Sequence, residues 1–264
     1  MSTNMKLRHQ NGFTLAELAT VMVIIGLVLG GLLTALPAQI MSQQEAATKN
    51  QLNDVIEALT GYAIANKRLP CPALAPPAGG AEATVNIPGP PPTTGCTNNF
   101  TGYLPASTLG LSNLTTSGYL LDSWGNPIRY AITPLSGTAV ANAFTTGGAV
   151  AFGGQSIQAL NNALTGAPFP GLIVCSDTPR KGANSCTIGT NLLTQNAVAI
   201  VWSDGPYAAN DAASTDVTEN NVTADKFFIN HEWREPTGNS YHQIMVWLPY
   251  SKLFGRMVQA GSLP

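Results

Sequence analysis

Three aspartates toward the carboxyl end of the chain carry oxygen atoms of the kind that hard metal ions bind. Asp204, Asp211 and Asp216 lie in the loop SDGPYAANDAASTD, residues 203–216. Ca²⁺ takes carboxylate and carbonyl oxygens as ligands. The loop does not follow a defined ligand spacing, so a solvated turn is the preferred interpretation and a structural Ca²⁺ site is the alternative.

Acid–base catalysis would require titratable side chains beside a nucleophile. His231 and His242 are candidates, and Glu232 and Glu235 lie close to the first of them. The sequence contains neither the nucleophile elbow of hydrolases nor the His-Glu-x-x-His pattern of zinc peptidases. We therefore expect these histidines to be surface or strand residues, and we expect no enzyme activity.

A carboxylate also lies within a long apolar run near the amino terminus. Glu17 is the only charged residue between Phe13 and Leu36. At the centre of a membrane such a charge costs about 2.5 to 3.5 kcal/mol on insertion scales, and less near an interface. The simplest explanation is a side chain that extends to the lipid headgroups.

The apolar run predicts a membrane span at residues 13–36. It is long enough, because a helix needs roughly 20 residues to cross the hydrocarbon core. A secretory signal peptide has its small-residue cleavage site after the apolar region, whereas Gly12 lies before it. Lys6 and Arg8 precede the span, so the amino terminus is predicted to be cytoplasmic and the chain after Pro37 to be exported.

The string GFTLAEL at residues 12–18, together with the basic leader and the span, resembles type IV prepilins and the pseudopilins of type II secretion. The resemblance implies that prepilin peptidase removes the leader after Gly12 and that Phe13 becomes N-methylated. It also implies that Glu17 neutralises the terminal amine of a neighbouring subunit during assembly. Such a pairing would offset the free energy lost by burying the carboxylate.

Two glycines in the span are spaced for close contact between helices. Gly26 and Gly30 form a GxxxG pattern, which lets membrane helices approach one another. The alternative is ordinary tolerance of glycine in a membrane helix.

The four cysteines all fall on the predicted exported side, where disulfides form. Four cysteines allow three connectivities. We favour Cys71 with Cys96 and Cys175 with Cys186, because each pair closes a turn-rich loop. A metal site is disfavoured, because no Cys-x-x-Cys spacing is present.

A second motif lies in the exported part of the chain. The string DSWGNP contains Asp122, Trp124, Gly125 and Pro127 and resembles a motif of major pseudopilins and other prepilin-like proteins. Trp124 is predicted to be a core anchor beside a tight turn. The length of the chain and its two predicted disulfides favour a larger, minor member of the family.

These elements predict an α+β protein in three parts. Residues 1–12 form the cytoplasmic leader, and residues 13–66 form a long helix with the span at 13–36 and an amphipathic part at 38–66. Residues 67–264 form a periplasmic or extracellular globular domain. Apolar residues recur at helical spacing in the amphipathic part, which predicts that one face packs on an antiparallel sheet. The predicted strands are residues 128–132, 171–176, 196–203, 226–230 and 242–250.

The predicted function is a structural subunit of a type IV pilus or a type II secretion pseudopilus, and the choice between the two stays open. Its partners would be other subunits, prepilin peptidase, the inner-membrane assembly platform and the lipid bilayer. It would begin as a single-pass inner-membrane protein and end in a periplasmic pseudopilus or a cell-surface pilus.

Two alternatives are a membrane-anchored periplasmic enzyme or binding module, and a minor pilin that captures DNA or adheres to surfaces. The formal charge of −2 rests on 12 basic and 14 acidic residues. Cleavage would remove Lys6 and Arg8, leaving 10 against 14, or −4. This charge gives no general attraction to nucleic acid, and only Arg180 and Lys181 suggest a basic patch.

Overall fold

A computed structural model of the chain describes residues 12, 14–33, 36–87, 93–97, 101–133, 171–176, 186, 191–221, 226–234 and 240–262. The chain divides into two compact units, Met1–Gln44 and Glu45–Pro264, and each is described by itself. The helices are α1 (Leu15–Leu33), α2 (Leu36–Asn66), α3 (Ala208–Asp211), α4 (Thr215–Asn221) and α5 (Tyr250–Gln259). The strands are β1 (Thr84–Ile87), β2 (Thr93–Cys96), β3 (Thr101–Tyr103), β4 (Arg129–Ile132), β5 (Leu172–Cys175), β6 (Leu192–Ser203), β7 (Phe227–Ile229) and β8 (Ile244–Pro249).

The first unit contains α1, whose side chains from Leu15 to Val28 are exposed. Among the described residues, no helix combines the length and the apolar character needed to cross a membrane. The predicted span at 13–36 includes residues 13, 34 and 35, which lie outside the described part of the chain.

The second unit is built on a six-stranded sheet in the order β3-β4-β6-β5-β7, with β8 also paired to β6. All pairs are antiparallel except β5 with β7, which are parallel. Strand β6 forms the centre because it is long and carries the run AVAIVW, whose apolar and partly β-branched side chains suit a strand covered on both faces. A separate hairpin joins β1 to β2.

The two faces of the sheet carry different sets of side chains, because successive residues of a strand point in opposite directions. Val201 and Tyr130 lie in the cluster that packs on α2 and α5, whereas Ile200, Trp202 and Ala131 belong to a second cluster on the opposite face. From α2, the first cluster receives five of the six residues that the helical spacing had indicated, Leu52, Val55, Ile56, Leu59 and Ala63. The sixth, Tyr62, is half-buried and lies outside this cluster. The predicted α+β class, with a long helix on a sheet, is therefore confirmed.

The carboxyl-terminal helix is one of the elements that the sequence interpretation missed. The predicted strand extended to Tyr250, and the tail after it was not assigned a structure. Instead, α5 begins at Tyr250 and packs Leu253, Phe254 and Met257 into the core beside α2. These three residues have helical spacing, which is the signal that was available. Gly255 within the segment obscured it, since glycine disfavours a helix.

Candidate functional site

The amino-terminal motif forms a reciprocal cap at the start of α1. The Thr14 backbone N–H donates to Glu17 Oε2 at 3.0 Å, and the Thr14 hydroxyl lies at 3.0 Å from the same oxygen. In return the Glu17 N–H donates to Thr14 Oγ1 at 3.2 Å. This is the capping box expected from a Thr-x-x-Glu string, and it satisfies N–H groups that have no partner within the helix. The sequence contained this signal, but the interpretation of Glu17 had not used it.

The predicted cleavage point lies immediately before this cap. Gly12 is exposed, and a Cβ added to it would meet no atom within 4 Å. No neighbour in the described part of the chain therefore requires glycine at this position. Phe13, the predicted methylated residue, lies outside the described residues, as does the leader before Gly12.

Large apolar side chains are exposed along α1. Leu15 is 90% exposed and Leu27 is 73% exposed, and the other exposed apolar residues of the helix are Leu18, Val21, Met22, Val23, Ile24, Ile25 and Val28. Gly26 has free space where a side chain would be. Gly30 lies in the helix, but its surroundings are not described. A helix with this surface is suited to burial by lipid or by other apolar helices.

The DSWGNP turn is organised by a buried carboxylate. Asp122 Oδ1 accepts hydrogen bonds from the backbone N–H of Trp124 at 2.9 Å and of Asn126 at 2.8 Å. Its other oxygen accepts from the Ser203 hydroxyl at the end of β6. Gly125 has φ of 89°, a conformation that residues with side chains rarely adopt. The half-buried Trp124 packs against the core, as the sequence interpretation expected.

This turn also contacts α2 directly. The Thr48 hydroxyl donates to Ser123 Oγ at 2.9 Å, and the Gln51 side-chain amide donates to the Leu121 carbonyl at 2.9 Å. Both α2 residues belong to the second unit. The motif therefore links the long helix to the end of the central strand through a single loop.

The three aspartates considered for Ca²⁺ each have separate protein partners. Asp204 accepts from Arg129 Nε at 2.7 Å, from the Asn221 side-chain amide at 2.9 Å and from the Gln243 side-chain amide at 2.8 Å. Asp204 is only 8% exposed. Its charge is compensated by the guanidinium and by hydrogen-bond donors of the protein itself.

The other two aspartates pair with the two histidines. Asp211 Oδ2 lies 2.8 Å from His242 Nδ1, and Asp216 Oδ2 lies 3.0 Å from His231 Nε2. Asp216 also accepts from Arg234 at 2.6 Å. Among the described residues, no group of three or more His, Cys, Asp or Glu side chains is placed to hold a metal ion.

The geometry around the histidines differs from that of a Ser-His-Asp relay. The Ser240 hydroxyl donates to Asp211 Oδ1 and not to a histidine nitrogen. His242 itself is buried and packs its ring against Tyr207 at 4.6 Å between centroids. Burial raises the pKa of the neighbouring Tyr241, whose hydroxyl donates to the Ile229 carbonyl. Glu235 lies outside the described residues.

Both sequential disulfides are present, joining Cys71 to Cys96 and Cys175 to Cys186. The first is supported by an ion pair of Arg68 with Glu82, with two contacts of 2.8 Å, and Glu82 also accepts from the Cys71 N–H. Burial acts to raise the pKa of Glu82, but the hydrogen bonds from Arg68 and Cys71 outweigh it and lower the pKa.

Comparison with known proteins gives one match. Residues 7–33 match the family model described as the prokaryotic N-terminal methylation motif. This motif indicates the type IV pilin and pseudopilin family. No curated protein and no solved structure matches the chain significantly.

Proposed function

We propose that this chain, whose amino terminus carries the type IV pilin and pseudopilin motif, is a structural subunit of a type IV pilus or a type II secretion pseudopilus. The observation that carries the proposal is the match of residues 7–33 to the methylation motif. The long helix packed on a sheet agrees with it, since pilin-like subunits share this arrangement.

The first step in this function is processing by prepilin peptidase. The peptidase cleaves between Gly12 and Phe13, and Phe13 is then N-methylated. The exposure of Gly12 next to the helix cap supports this assignment, because the scissile bond must enter another protein's active site. Mass spectrometry after co-expression with a prepilin peptidase tests it. The expected mature chain begins at methylated Phe13, whereas an intact leader would favour a plain membrane anchor.

The second step is assembly through α1. Its exposed apolar side chains supply the surface that lipid covers before assembly and that other α1 helices cover in the filament. Glu17 neutralises the terminal amine of a neighbouring subunit. To do so, its carboxylate must exchange or share the hydrogen bonds that it now accepts from Thr14.

Replacement of Glu17 by alanine tests this role. The variant should reach the membrane in the same amount as the unaltered protein, because removing a charge does not hinder insertion of an apolar helix. Its incorporation into filaments should fall strongly, because the terminal amine would remain buried without a counter-charge. Quantification of sheared filaments against the membrane fraction separates the two effects, and normal incorporation would count against the assembly role.

The partners follow from these steps. The subunit requires prepilin peptidase, an inner-membrane assembly platform and other subunits, and its location changes from the inner membrane to a pseudopilus or a pilus. Its length and two disulfides suit a minor subunit. The same filament preparation tests this point, because a minor subunit should be present in far fewer copies than the main one.

A further inference from the structure

A cleft in the second unit has no role in the proposed assembly. Its volume is about 700 Å³, within the range of roughly 300 to 1,000 Å³ that is typical of ligand sites. The walls come from α2, from the ends of β5 and β7 and from the starts of β6 and β8. The apolar part of the lining includes Leu193, Ile244 and Met245.

Two of the polar residues in the wall are fully engaged and hold its shape. His231 has one ring nitrogen 3.0 Å from Asp216 and the other 2.7 Å from the Glu232 carbonyl. The Gln243 amide donates to Asp204 and accepts from the Asn220 amide at 2.7 Å. These bonds fix the lining before any ligand arrives, which reduces the entropy lost on binding.

Four other polar side chains of the lining are available to a ligand. Glu45 and Lys49 come from α2, and Asn230 and Glu232 come from the segment after β7. In the described part of the chain, these four side chains make no ion pair and donate or accept no side-chain hydrogen bond. They provide an amide with donors and an acceptor, two carboxylates and an ammonium group.

An aromatic ring completes the cleft. Trp233 is half-buried, and its ring is braced by Trp124 at 6.1 Å and by His242 at 5.5 Å between centroids. A tryptophan held in this way offers a flat apolar face at little cost in side-chain entropy, together with an N–H donor at its edge.

We propose that this cleft binds a neutral oligosaccharide. A sugar ring has an apolar face of C–H groups, which packs on Trp233, and hydroxyl groups at its edge. Each hydroxyl both donates and accepts, so Asn230 and Glu232 can bind it in pairs of hydrogen bonds. The mixture of two carboxylates and one ammonium group favours a neutral ligand over a polyanion, because the carboxylates repel phosphate.

A peptide is the competing class of ligand, and the observations favour it less. Extended peptides are held mainly by main-chain hydrogen bonds along a strand edge, with pockets for alternate side chains. The free groups in this cleft are side chains of mixed charge around one indole ring. This arrangement suits hydroxyl groups better than a peptide backbone.

The test uses the purified full chain in micelles of a zwitterionic detergent, because alkyl glycoside detergents are themselves sugars. The probes are maltotetraose, cellotetraose, chitotetraose and mannotetraose, with a lysine-containing hexapeptide for the competing class. Saturation-transfer difference NMR detects binding, and titration of tryptophan fluorescence gives the dissociation constant. We expect at least one tetrasaccharide to bind.

Two variants locate the site. Asn230→Ala and Glu232→Gln should each raise the dissociation constant about three- to tenfold, the change expected for one lost hydrogen bond. The matched controls Asn66→Ala and Asp54→Asn change exposed residues of α2 outside the lining and should leave the dissociation constant unaltered. Equal melting temperatures would show that all four variants are folded.

Three results would overturn the proposal: no tetrasaccharide binds, only the hexapeptide binds, or both cleft variants bind as tightly as the unaltered chain. The measurement uses the isolated subunit and does not depend on filament assembly. A failure here would therefore leave the assembly role standing, and a failure of processing or assembly would not alter the binding result.

Discussion

Glu17 in the first unit and Asp204 in the second are carboxylates that the protein satisfies in opposite ways. Glu17 is exposed and accepts hydrogen bonds from Thr14, three residues away. Asp204 is buried and is held by Arg129 and Gln243, which are 75 and 39 residues away in sequence. The helix start is thus specified by a short local string, whereas the sheet domain depends on residues that only the complete fold brings together.

The location of its hydrogen-bond partners determines what each charge contributes to the protein. A buried charge held by distant partners stabilises the folded domain, and its removal leaves those partners unpaired. An exposed charge held by its own helix turn contributes little to that stability, so it remains available for another molecule. Four carboxylates, ordered from buried to exposed, test this relation between burial and stability in one experiment. The full chain is unfolded by urea in detergent, and tryptophan fluorescence monitors the unfolding.

Asp204→Asn should have the largest effect, a loss of about 3 kcal/mol in the free energy of unfolding. The amide cannot compensate the charge of Arg129, and its NH₂ group must face a donor, either Arg129 Nε or the side-chain amides of Asn221 and Gln243. The matched control is Asp54→Asn on the exposed face of α2, which should change the free energy by less than about 0.5 kcal/mol. Similar losses for both variants would contradict the assigned role of the network.

Glu82→Gln should come second, with a loss of about 2 kcal/mol at neutral pH, because one of the two hydrogen bonds from Arg68 is lost and the other no longer has a charged acceptor. The folded-state pKa of Glu82 lies below its ordinary value, so the stabilisation is present above the unfolded pKa of about 4.3. It disappears as the pH falls through the lower, folded pKa.

The unaltered chain and the Glu82→Gln variant should therefore become equally stable in strong acid. Unfolding curves between pH 7 and pH 2 measure this convergence. If the free energies of unfolding of the two proteins differed by the same amount at every pH, the effect would come from packing and not from the charge.

The same contrast explains which features the sequence could predict. The GFTLAEL string, the apolar face of α2 and the strand with Tyr130 are local patterns, and each was recognised from neighbouring residues. The partners of Asp204 were not, because no periodicity links residue 129 or residue 243 to a loop at 204. The aspartates were consequently interpreted as a solvated turn or a Ca²⁺ site, although their partners are basic, amide and hydroxyl side chains of the protein itself.

Two local signals were available and were overlooked. The Thr-x-x-Glu string at Thr14 predicts a capping box, and Leu253, Phe254 and Met257 predict the inner face of α5. At Thr14, the apolar run around Glu17 was interpreted instead of the capping string. In the tail, the glycine inside the segment argued against a helix. The cleft around Trp233 had no such signal, since its lining comes from five separate parts of the fold.

Glu57→Gln should have a smaller effect, less than about 1 kcal/mol, because surface ion pairs contribute little. Glu57 joins α2 to α5 through Lys252 at 2.8 Å and Arg256 at 3.5 Å, and all three side chains are well exposed. The hydrogen bond from Lys252 lowers the pKa of Glu57. The loss should shrink further at 1 M salt, because screening weakens exposed pairs. A loss as large as that of Glu82→Gln would break the relation between burial and stability.

Glu17→Gln should have the smallest effect on unfolding, with no measurable change in the urea midpoint of the tryptophan signal. All four tryptophans lie in the second unit, and the hydrogen bonds of Glu17 remain within its own helix turn. The amide keeps one oxygen that can accept from Thr14, so the start of α1 is retained, but it cannot neutralise a neighbouring amine. If the variant unfolded at a lower urea concentration, Glu17 would act within the folded subunit. An unchanged midpoint together with reduced filament incorporation would assign the charge of Glu17 to contacts between subunits.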